Sequence, residues 1–245
     1  MEKRIFRIDS NVELAKDSYR MVLGSDSPVE MSSGQFVDIA LEGFYLRRPI
    51  SVCDCDGKTF TIVYKIVGEG TAAMARMQPG ETLEILTALG HGFDTDACRE
   101  SALLVGGGLG VAPMYLLAKE LLAKGKKVSV VLGFNAECEV LLREDFRALG
   151  IEPLISTMDG SCGTRGFVTD AIREHKPEFD YFYTCGPMPM MKALCQMLDC
   201  KGEVSLEERM GCGVGYCYGC SCKTSVGTKR ICKDGPVFKK EEVLW

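Results

Sequence analysis

The spacing of apolar residues changes near residue 98, and this change constrains the fold more than any other feature of the sequence. Before it, short segments rich in β-branched and aromatic residues alternate with Gly, Pro, Asp and Ser. Six such segments are present, at residues 4–10, 19–25, 35–41, 48–54, 59–66 and 82–88. Closely spaced short strands predict an antiparallel barrel, here interrupted by one short helix near residues 71–77.

After residue 98, apolar strands alternate with helical segments. The expected strands are residues 101–108, 128–134, 153–157 and 181–186, and the expected helices are residues 111–125, 140–150, 167–175 and 188–198. This alternation predicts a parallel sheet with helices on both faces. We therefore predict a β + α/β chain of three regions: a barrel domain at 1–97, an α/β domain at 98–200 and a cysteine-rich region at 201–245.

Composition excludes several classes of partner. The net charge is −5, and acidic and basic residues are interspersed without a basic run, so we expect no nucleic-acid surface. The N-terminus lacks the apolar stretch of a signal peptide, and no window approaches the roughly 18 apolar residues of a membrane span. We expect a cytoplasmic protein with no membrane partner, in which clustered cysteines indicate metal or redox chemistry rather than disulfides.

Five of the 13 cysteines lie in residues 210–235, here called the cysteine loop. Four of them follow the order Cys212-x4-Cys217-x2-Cys220, with Cys232 after eleven further residues. This is the plant-type [2Fe–2S] spacing, in which two thiolates bind each iron. The glycines between them allow the loop to wrap tightly and bring backbone N–H groups towards anionic sulfurs. The spacing therefore predicts Cys212, Cys217, Cys220 and Cys232 as cluster ligands.

Two alternatives remain open for these thiols. A structural zinc site usually contains two close pairs, whereas Cys217 and Cys220 form the only C-x2-C pair of the loop, so the cluster is favoured. Cys222 is a fifth thiol, which we interpret as a packed neighbour of the cluster. An exchange of Cys222 with Cys220 as a ligand remains open.

A glycine-rich turn between strand and helix, GGGLGVAPM at residues 106–114, predicts a phosphate site. Free backbone N–H groups and the helix dipole meet at such a turn. Val111 replaces the last glycine of the dinucleotide fingerprint, so the motif alone is weak. A second segment, TCGPMPMM at residues 184–191, ends the last predicted strand and places Cys185 and Gly186 at its carboxyl end, where open α/β sheets bind ligands. The predicted nucleotide contacts are Gly106, Gly107, Gly108, Gly110, Cys185 and Gly186.

The barrel contains a second candidate anion site. Arg48, in RRPIS, offers a guanidinium to a phosphate, and Ser51 offers a hydroxyl to a ring edge. Gly70 and Thr71 open the short helix, and we expect Thr71 to be its N-cap. Two phosphate sites and a cluster loop together suggest two dinucleotides and a metal centre.

The order of these motifs resembles the ferredoxin reductase superfamily. The forms RRPISVCD (47–54), YKIVGEGT (64–71), SLEERMGCGVGYCYGC (205–220) and ICKDGPVF (231–238) resemble those of the electron transfer subunits of class 1B dihydroorotate dehydrogenases. The resemblance covers essentially the whole chain. One departure is His91, where the family pattern leads us to expect Asn.

The resemblance implies FAD on the barrel, NAD on the α/β domain and one [2Fe–2S] cluster on the four cysteines named above. The implied FAD contacts are Arg48, Pro49, Ile50, Ser51, Val63, Tyr64, Lys65, Gly70 and Thr71. It also implies an oxidoreductase subunit of pyrimidine biosynthesis, which passes electrons from the FMN of a dihydroorotate dehydrogenase catalytic subunit through the cluster and FAD to NAD. The implied assembly is a heterotetramer with two copies of each subunit. Hydride transfer between nicotinamide and flavin requires orientation rather than a protein acid or base, so we predict no catalytic side chain.

Three other functions remain open on the sequence. One is a related relay subunit, of the NADH-dependent ferredoxin:NADP oxidoreductase or sulfhydrogenase type. Another is a stand-alone NADH:acceptor reductase, and the third is a non-enzymatic thiol or zinc redox sensor.

The nucleotide is expected to be NAD rather than NADP. In the segment after the second α/β strand, Glu137 and Glu139 precede the first basic residue, Arg143. A 2′-phosphate would meet carboxylates there.

Overall fold

The first six strands close into an antiparallel barrel. The computed structural model describes all residues from Met1 to Trp245. Around the barrel the strands run in the order β1 (Glu2–Ala15), β2 (Ser18–Gly24), β5 (Thr59–Lys65), β4 (Arg48–Cys55), β3 (Phe36–Ile39) and β6 (Thr82–Leu89). Strand β1 pairs with both β2 and β6, which closes the sheet. Apolar side chains such as Phe6, Ile8 and Ile62 fill the interior, and the predicted barrel is confirmed.

Helix α1 (Glu69–Arg76) follows β5 and begins two residues before the predicted start. Its N-cap is Gly68, so the expectation that Thr71 is the N-cap is wrong. Thr71 lies inside the first turn, where its hydroxyl accepts hydrogen bonds from the N–H groups of Val67 (2.9 Å) and Gly68 (3.3 Å). The Thr71 hydroxyl therefore holds the backbone of Val67 and Gly68, which leads into α1.

The α/β region forms a seven-stranded sheet. Its order is β10 (Thr164–Arg165), β9 (Leu154–Thr157), β8 (Lys127–Phe134), β7 (Ser101–Gly107), β11 (Tyr181–Cys185), β12 (Gly202–Ser205) and β15 (Val237–Lys239). All neighbours are parallel except β12 and β15, so the predicted parallel sheet has one antiparallel edge strand. The chain leaves β7 on one side towards β8 and later returns on the other side at β11. This reversal is the topological switch point, where open α/β sheets bind ligands.

Four helices cover the two faces of the sheet: α2 (Val111–Ala123), α3 (Arg143–Ala148), α4 (Val168–His175) and α5 (Met188–Met197). Helix α2 packs on one face, and α4 and α5 pack on the other. The predicted helix at 140–150 is wrong in its bounds, because α3 has only six residues. A separate 3-10 turn at Glu137–Glu139 precedes it. Leu142 has a left-handed φ of 60°, which prevents the helix from starting earlier.

The C-terminal residues both complete the sheet and carry the cysteine loop. The loop leaves the sheet after β12 and returns at β15, where Ser205 is paired with Val237. Between these strands lie β13 (Ser221–Thr224), β14 (Gly227–Arg230) and α6 (Ile231–Asp234). None of these short elements was predicted, and the domain boundaries at 97/98 and 200/201 remain a prediction.

A separate apolar core, here called the C-terminal core, holds the cysteine loop against the barrel. Its buried members are Phe36, Leu89, Met191, Val204, Leu206, Cys220, Ile231, Cys232, Phe238 and Val243. The N–H group of His91 donates to the carbonyl oxygen of Gly235 at 2.7 Å. Barrel, sheet and cysteine loop therefore share one packed interior at this end of the molecule.

Three ion pairs connect the barrel to the α/β region: Arg20–Asp145 (2.7 Å), Lys65–Glu139 (3.1 Å) and Lys119–Asp54 (2.5 Å). No helix of the chain combines the length and the apolar character that a bilayer crossing requires.

Candidate functional site

A cleft of about 320 Å³ lies between the barrel and the α/β region, here called the interdomain cleft. The barrel contributes Phe36, Pro49, Ile50, Ser51, Val63, Tyr64, Lys65, Val67 and Thr71. The α/β and C-terminal residues contribute Leu109, Ala112, Cys185, Ser205, Leu206, Glu207, Glu208, Met210 and Pro236. A mostly apolar cleft with a few polar groups suits a planar ring system.

A second cavity of about 310 Å³, here called the phosphate cradle, shares Val67 and Thr71 with the cleft. The N-terminus of α1 and the side chain of Arg48 line it. The Arg48 guanidinium stacks on Phe44 at 4.9 Å and lies so close to Gly70 that a Cβ there would be 2.2 Å from Nε. Free N–H groups of a helix N-terminus beside a guanidinium are suited to a pyrophosphate.

The structure places all nine predicted FAD contacts around these two connected cavities. The side chain of Tyr64 is turned into the barrel core, where its hydroxyl donates to Asn11 at 2.8 Å. Burial raises the pKa of Tyr64 to about 12, so the phenol stays protonated. The role of these nine residues as flavin contacts stays a prediction.

The two glycine-rich turns at the switch point pack against each other. A Cβ on Gly110 would lie 2.3 Å from the carbonyl oxygen of Cys185, and a Cβ on Gly186 would lie 3.0 Å from the nitrogen of Gly107. A side chain at Gly110 would thus separate the ends of β7 and β11. The glycine requirement at these positions is first of all steric.

A third cavity of about 390 Å³, the nucleotide pocket, opens beside these turns. Its lining includes Gly107, Gly108, Asn135, Glu139, Ser156, Phe167 and Thr169. Among the predicted nucleotide contacts, only Gly107 and Gly108 line it, and Cys185 lines the interdomain cleft instead. Gly106, Gly110 and Gly186 line neither cavity and support the turns. Sequence reasoning missed Asn135 and Ser156, although both lie at carboxyl ends of predicted parallel strands.

Glu139 is the carboxylate that faces the nucleotide pocket. It accepts hydrogen bonds from Lys65 Nζ (3.1 Å) and Asn135 Nδ2 (2.8 Å), and the Lys65 bond lowers the pKa of Glu139. Glu137 does not line the pocket, and its N–H group donates to Ser161 Oγ at 2.8 Å. Of the two acidic residues singled out in the sequence, only Glu139 is therefore placed to meet a 2′-phosphate in this pocket, and its role stays a prediction. Its pairing with Lys65 also connects the pocket to the interdomain cleft.

The four predicted ligand cysteines accept hydrogen bonds from the backbone of their own loop or lie beside one another. Cys212 Sγ accepts from the N–H groups of Tyr216 (3.3 Å) and Cys217 (3.4 Å). Cys217 Sγ accepts from Gly219 at 3.4 Å. Cys220 Sγ accepts from the N–H group of Cys232, also at 3.4 Å.

The contacts of Cys212 favour its anionic form, whereas those of Cys232 favour the protonated thiol. Burial opposes ionisation of Cys212, but hydrogen bonds from Cys217, Val214 and Tyr216 outweigh it and lower the pKa of Cys212 to about 6. Burial and the neighbouring Cys220 raise the pKa of Cys232 to about 12. A loop that offers N–H groups to its sulfurs fits an iron–sulfur cluster, whose bridging and ligand sulfurs are anionic.

Cys222 differs from these four. It lies on β13, half-buried against the C-terminal core, and burial together with the nearby Cys220 raises its pKa. A hydrogen bond from its own backbone opposes this rise and does not outweigh the burial. The assignment of the four ligands, with Cys222 as a packed neighbour, stays a prediction, and none of the 13 cysteines forms a disulfide.

The interdomain cleft and the cysteine loop share a wall. Phe36 lines the cleft and packs with Cys220 and Cys232 in the C-terminal core. Met210, which precedes Cys212, also lines the cleft and packs on that core. Redox groups in the cleft and in the loop would thus be separated by a single layer of side chains.

Two protein-family models match the chain. Residues 207–244 match the iron–sulfur cluster binding domain of dihydroorotate dehydrogenase B. Residues 104–196 match the oxidoreductase NAD-binding domain. The first match contains the whole set of predicted ligand cysteines, and the second contains the glycine-rich turns and the nucleotide pocket.

Curated relatives resemble the chain over nearly its full length. A protein of Fusobacterium nucleatum subsp. nucleatum is 43% identical over 96% of both chains. A protein of Geobacillus sp. is 45% identical over 94% of both chains, and one of Bacillus mycoides is 42% identical over 100% of this chain and 99% of its own. Each is named dihydroorotate dehydrogenase B (NAD(+)), electron transfer subunit.

Solved structures show the same architecture. A chain of an NADH-dependent reduced ferredoxin–NADP oxidoreductase superposes with a TM-score of 0.89 at 32% identity, covering 99% of this chain and 90% of its own. Phthalate dioxygenase reductase superposes with a TM-score of 0.67 at 20% identity, covering 80% of this chain and 64% of its own. The second likeness establishes the fold alone.

Proposed function

The chain belongs to the family of electron transfer subunits of dihydroorotate dehydrogenase B, and we propose that it passes electrons between an FMN-containing catalytic subunit and NAD in pyrimidine biosynthesis. Family membership makes it the electron-transferring component of an oxidoreductase. The finer assignment, which includes the partner's FMN and the pathway, rests on the resemblance to relatives named dihydroorotate dehydrogenase B (NAD(+)), electron transfer subunit, and the arrangement of the sites is compatible with it.

The residues around each cavity support the predicted cofactors. The interdomain cleft would hold the ring of FAD, with Arg48 and the N-terminus of α1 at its pyrophosphate. The nucleotide pocket would hold NAD, and Cys212, Cys217, Cys220 and Cys232 would hold the [2Fe–2S] cluster. When bound, FAD exchanges electrons in pairs or singly, and the cluster exchanges them singly.

One observation carries the proposal: Phe36 and Met210 belong both to the wall of the cleft and to the packing around the cysteine loop. The shared side chains fix the two sites against each other. The cleft also adjoins the switch point, since Leu109 and Cys185 line it. The chain's own contribution is positioning, and no acid or base is required of it.

We propose that the catalytic subunit docks beside the cysteine loop. Tyr216 is 84% exposed and Tyr218 is 62% exposed, although both flank predicted ligands. Exposed tyrosines are enriched in the cores of protein interfaces. We propose a heterotetramer with two copies of each subunit, and a cytoplasmic location consistent with 13 unpaired cysteines.

Reconstitution tests the proposal. The chain alone should reduce artificial acceptors with NADH and leave dihydroorotate unchanged. Mixed with the catalytic subunit, it should support NAD-dependent oxidation of dihydroorotate. A mixture containing the Cys217→Ser variant should lose that activity, whereas the Cys138→Ser variant, changed at an exposed cysteine outside the loop, should keep it.

Two outcomes would contradict the proposal. Turnover of dihydroorotate by the chain alone would exclude the division of labour between the subunits. Failure to bind the catalytic subunit, with tight binding to another oxidoreductase, would instead support a related relay subunit. The likeness to the NADH-dependent ferredoxin–NADP oxidoreductase is the observation that supports this second candidate function.

A further inference from the structure

Asp38 is a buried carboxylate at the junction of the barrel and the cysteine loop. On β3, Val37 and Ile39 fill the barrel interior, so Phe36 and Asp38 face outwards on the same side. Asp38 is only 2% exposed, and its Oδ1 atom is buried without a hydrogen-bond partner. A buried polar atom without a partner is costly and requires an explanation.

The cysteine loop covers this carboxylate directly. A Cβ on Gly213 would lie 2.5 Å from Asp38 Oδ2, and Gly213 has a positive φ of 66°. Only glycine fits both the conformation and the contact. Gly213 follows Cys212, so the negative charge of Asp38 lies beneath the first predicted ligand of the loop.

The two neighbouring arginines do not pair with the carboxylate. Arg47 donates to the Asp38 carbonyl oxygen at 3.3 Å and forms its ion pair with Glu84. Arg48 donates to the carbonyl oxygen of Leu46 and stacks on Phe44. The Asp38 carboxylate therefore has no direct ion pair. The charges of Arg47 and Arg48 favour its ionised form, but burial outweighs them and raises the pKa of Asp38 to about 6, so the group is ionised at pH 8.

Asp38 also adjoins the interdomain cleft. Its partner across the β3–β4 ladder is Pro49, and the next outward residue on β3 is Phe36. Both Pro49 and Phe36 line the cleft. The carboxylate thus lies between the predicted positions of the flavin and the cluster.

We propose that Asp38 is a positioning residue whose buried negative charge lowers the reduction potential of the cluster held by the cysteine loop. Net charge and burial are main determinants of cluster potentials. A nearby negative charge disfavours addition of an electron to the cluster, most strongly where the surroundings exclude water. A lower potential makes the reduced cluster a better donor to the cleft. The inference rests on the proposed function, because it requires a cluster at the predicted cysteines.

The test compares Asp38→Asn with Asp56→Asn in the full chain loaded with its cofactors. Asp56 is a barrel carboxylate in the β4–β5 turn, away from the cysteine loop, where it accepts hydrogen bonds from the N–H groups of Lys58 and Thr59. Redox titration at pH 8, followed by electron paramagnetic resonance of the reduced cluster, gives the midpoint potential. We expect a shift to more positive potential in Asp38→Asn and no shift in Asp56→Asn.

A stability measurement separates the electrical role from a structural one. Because Asn removes a buried charge that has no partner, Asp38→Asn should unfold in urea at a concentration no lower than wild type. An unchanged potential in Asp38→Asn, or the same shift in both variants, would overturn the inference. If the Asp38→Asn variant does not bind the cluster, Asp38→Ser removes the same charge with a smaller side chain. Its reduction potential is judged by the same criterion.

The experiment also distinguishes this inference from the proposed function. A reduced wild-type chain that gives no electron paramagnetic resonance signal of an iron–sulfur cluster contradicts the proposed function itself. A loaded wild-type chain whose potential does not respond to Asp38 contradicts only the inference.

Discussion

At the scale of single residues, the sequence motif identifies the glycines of a turn, and the structure shows what each of these glycines contacts. Gly107 and Gly108 line the nucleotide pocket, as the motif indicates. Gly110 instead makes room for the carbonyl oxygen of Cys185, from a strand more than seventy residues further along the chain. A motif identifies a turn that requires glycine, but the neighbour that imposes the requirement appears only when the strands are assembled.

The cysteines give a prediction at the same scale. Each of the changes Cys212→Ser, Cys217→Ser, Cys220→Ser and Cys232→Ser should abolish the visible bands of the cluster, because a serine hydroxyl is a poor substitute for a thiolate. Cys222→Ser should retain them, since its thiol packs against the C-terminal core. Iron content and absorption spectra measure both. Loss of iron in Cys222→Ser with retention in Cys220→Ser would reverse the assignment.

Arg48 gives a second prediction at the scale of single residues. Arg48→Ala removes a guanidinium from the phosphate cradle, and charge-assisted hydrogen bonds contribute about 1.5–3 kcal/mol, so FAD should bind at least tenfold more weakly. The exposed Arg7→Ala serves as the control and should bind FAD as wild type does. Fluorescence titration of the apoprotein gives both dissociation constants. Unchanged affinity in Arg48→Ala, or purification with FMN in place of FAD, would remove this site from the proposal.

At the scale of elements, sequence patterns located long and regular segments well and short ones poorly. The barrel strands and α2 were anticipated because each has a clear period of apolar residues. The helix predicted at 140–150 was interrupted by the left-handed Leu142. The edge strands β10 and β15 and the strand β12 have only two to four residues. Such short strands are specified by the neighbours with which they pair rather than by their own sequence.

The turn at Glu137–Glu139 leads to a prediction about the nucleotide. Because Glu139 faces the pocket, wild type should show a higher kcat/KM with NADH than with NADPH. Glu139→Gln removes the charge that repels a 2′-phosphate and should lower the ratio of kcat/KM for NADH to kcat/KM for NADPH. Glu137→Gln should leave this ratio nearly unchanged. Steady-state kinetics with an artificial acceptor provide the six kcat/KM values, for wild type and both variants with each nucleotide. A preference of wild type for NADPH would contradict the prediction.

Strand β12 carries Glu203, which is 5% exposed and accepts a hydrogen bond from the N–H group of Asp94 at 2.9 Å. Burial raises the pKa of Glu203 to about 7 despite that bond. The folded protein then binds this proton more tightly than the unfolded chain, so the contribution to stability is present below pH 4.5 and is lost as the pH rises through 7.

Glu203→Gln should therefore gain stability relative to wild type between pH 5 and pH 8, by an amount on the order of 1–3 kcal/mol. Urea unfolding at the two pH values measures the change, with the exposed Glu178→Gln as the control. A stability difference that does not vary with pH would show that Glu203 titrates normally.

At the scale of the whole molecule, the three predicted regions depend on one another. Strands β12 and β15 complete the seven-stranded sheet, and Ser205, Leu206, Met210 and Pro236 form one side of the interdomain cleft. The sequence indicated the motifs of each region but not this shared construction, because the contacts join segments far apart in the chain. The position of each site relative to the others is therefore information that only the assembled fold contains.

A truncated chain tests this dependence. Residues 1–200 alone should lose FAD and expose apolar surface, because the sheet loses two strands and the cleft loses a wall. The full chain with all four predicted ligands changed to Ser retains those strands and should still bind FAD. Flavin content and dye binding to exposed apolar surface compare the two. Full FAD affinity in the 1–200 chain would show that the boundary at 200/201 marks an independent unit.

The pairing of β12 with β15 affects how the cluster can be assembled. The cysteine loop starts and ends at adjacent strands, so the sheet itself joins both of its ends. The entropy of closing the loop is then lost during folding and need not be lost again when a cluster arrives. The four predicted ligand cysteines therefore belong to one closed loop. We expect that inserting a cluster into the folded chain costs less entropy than inserting it into an open chain.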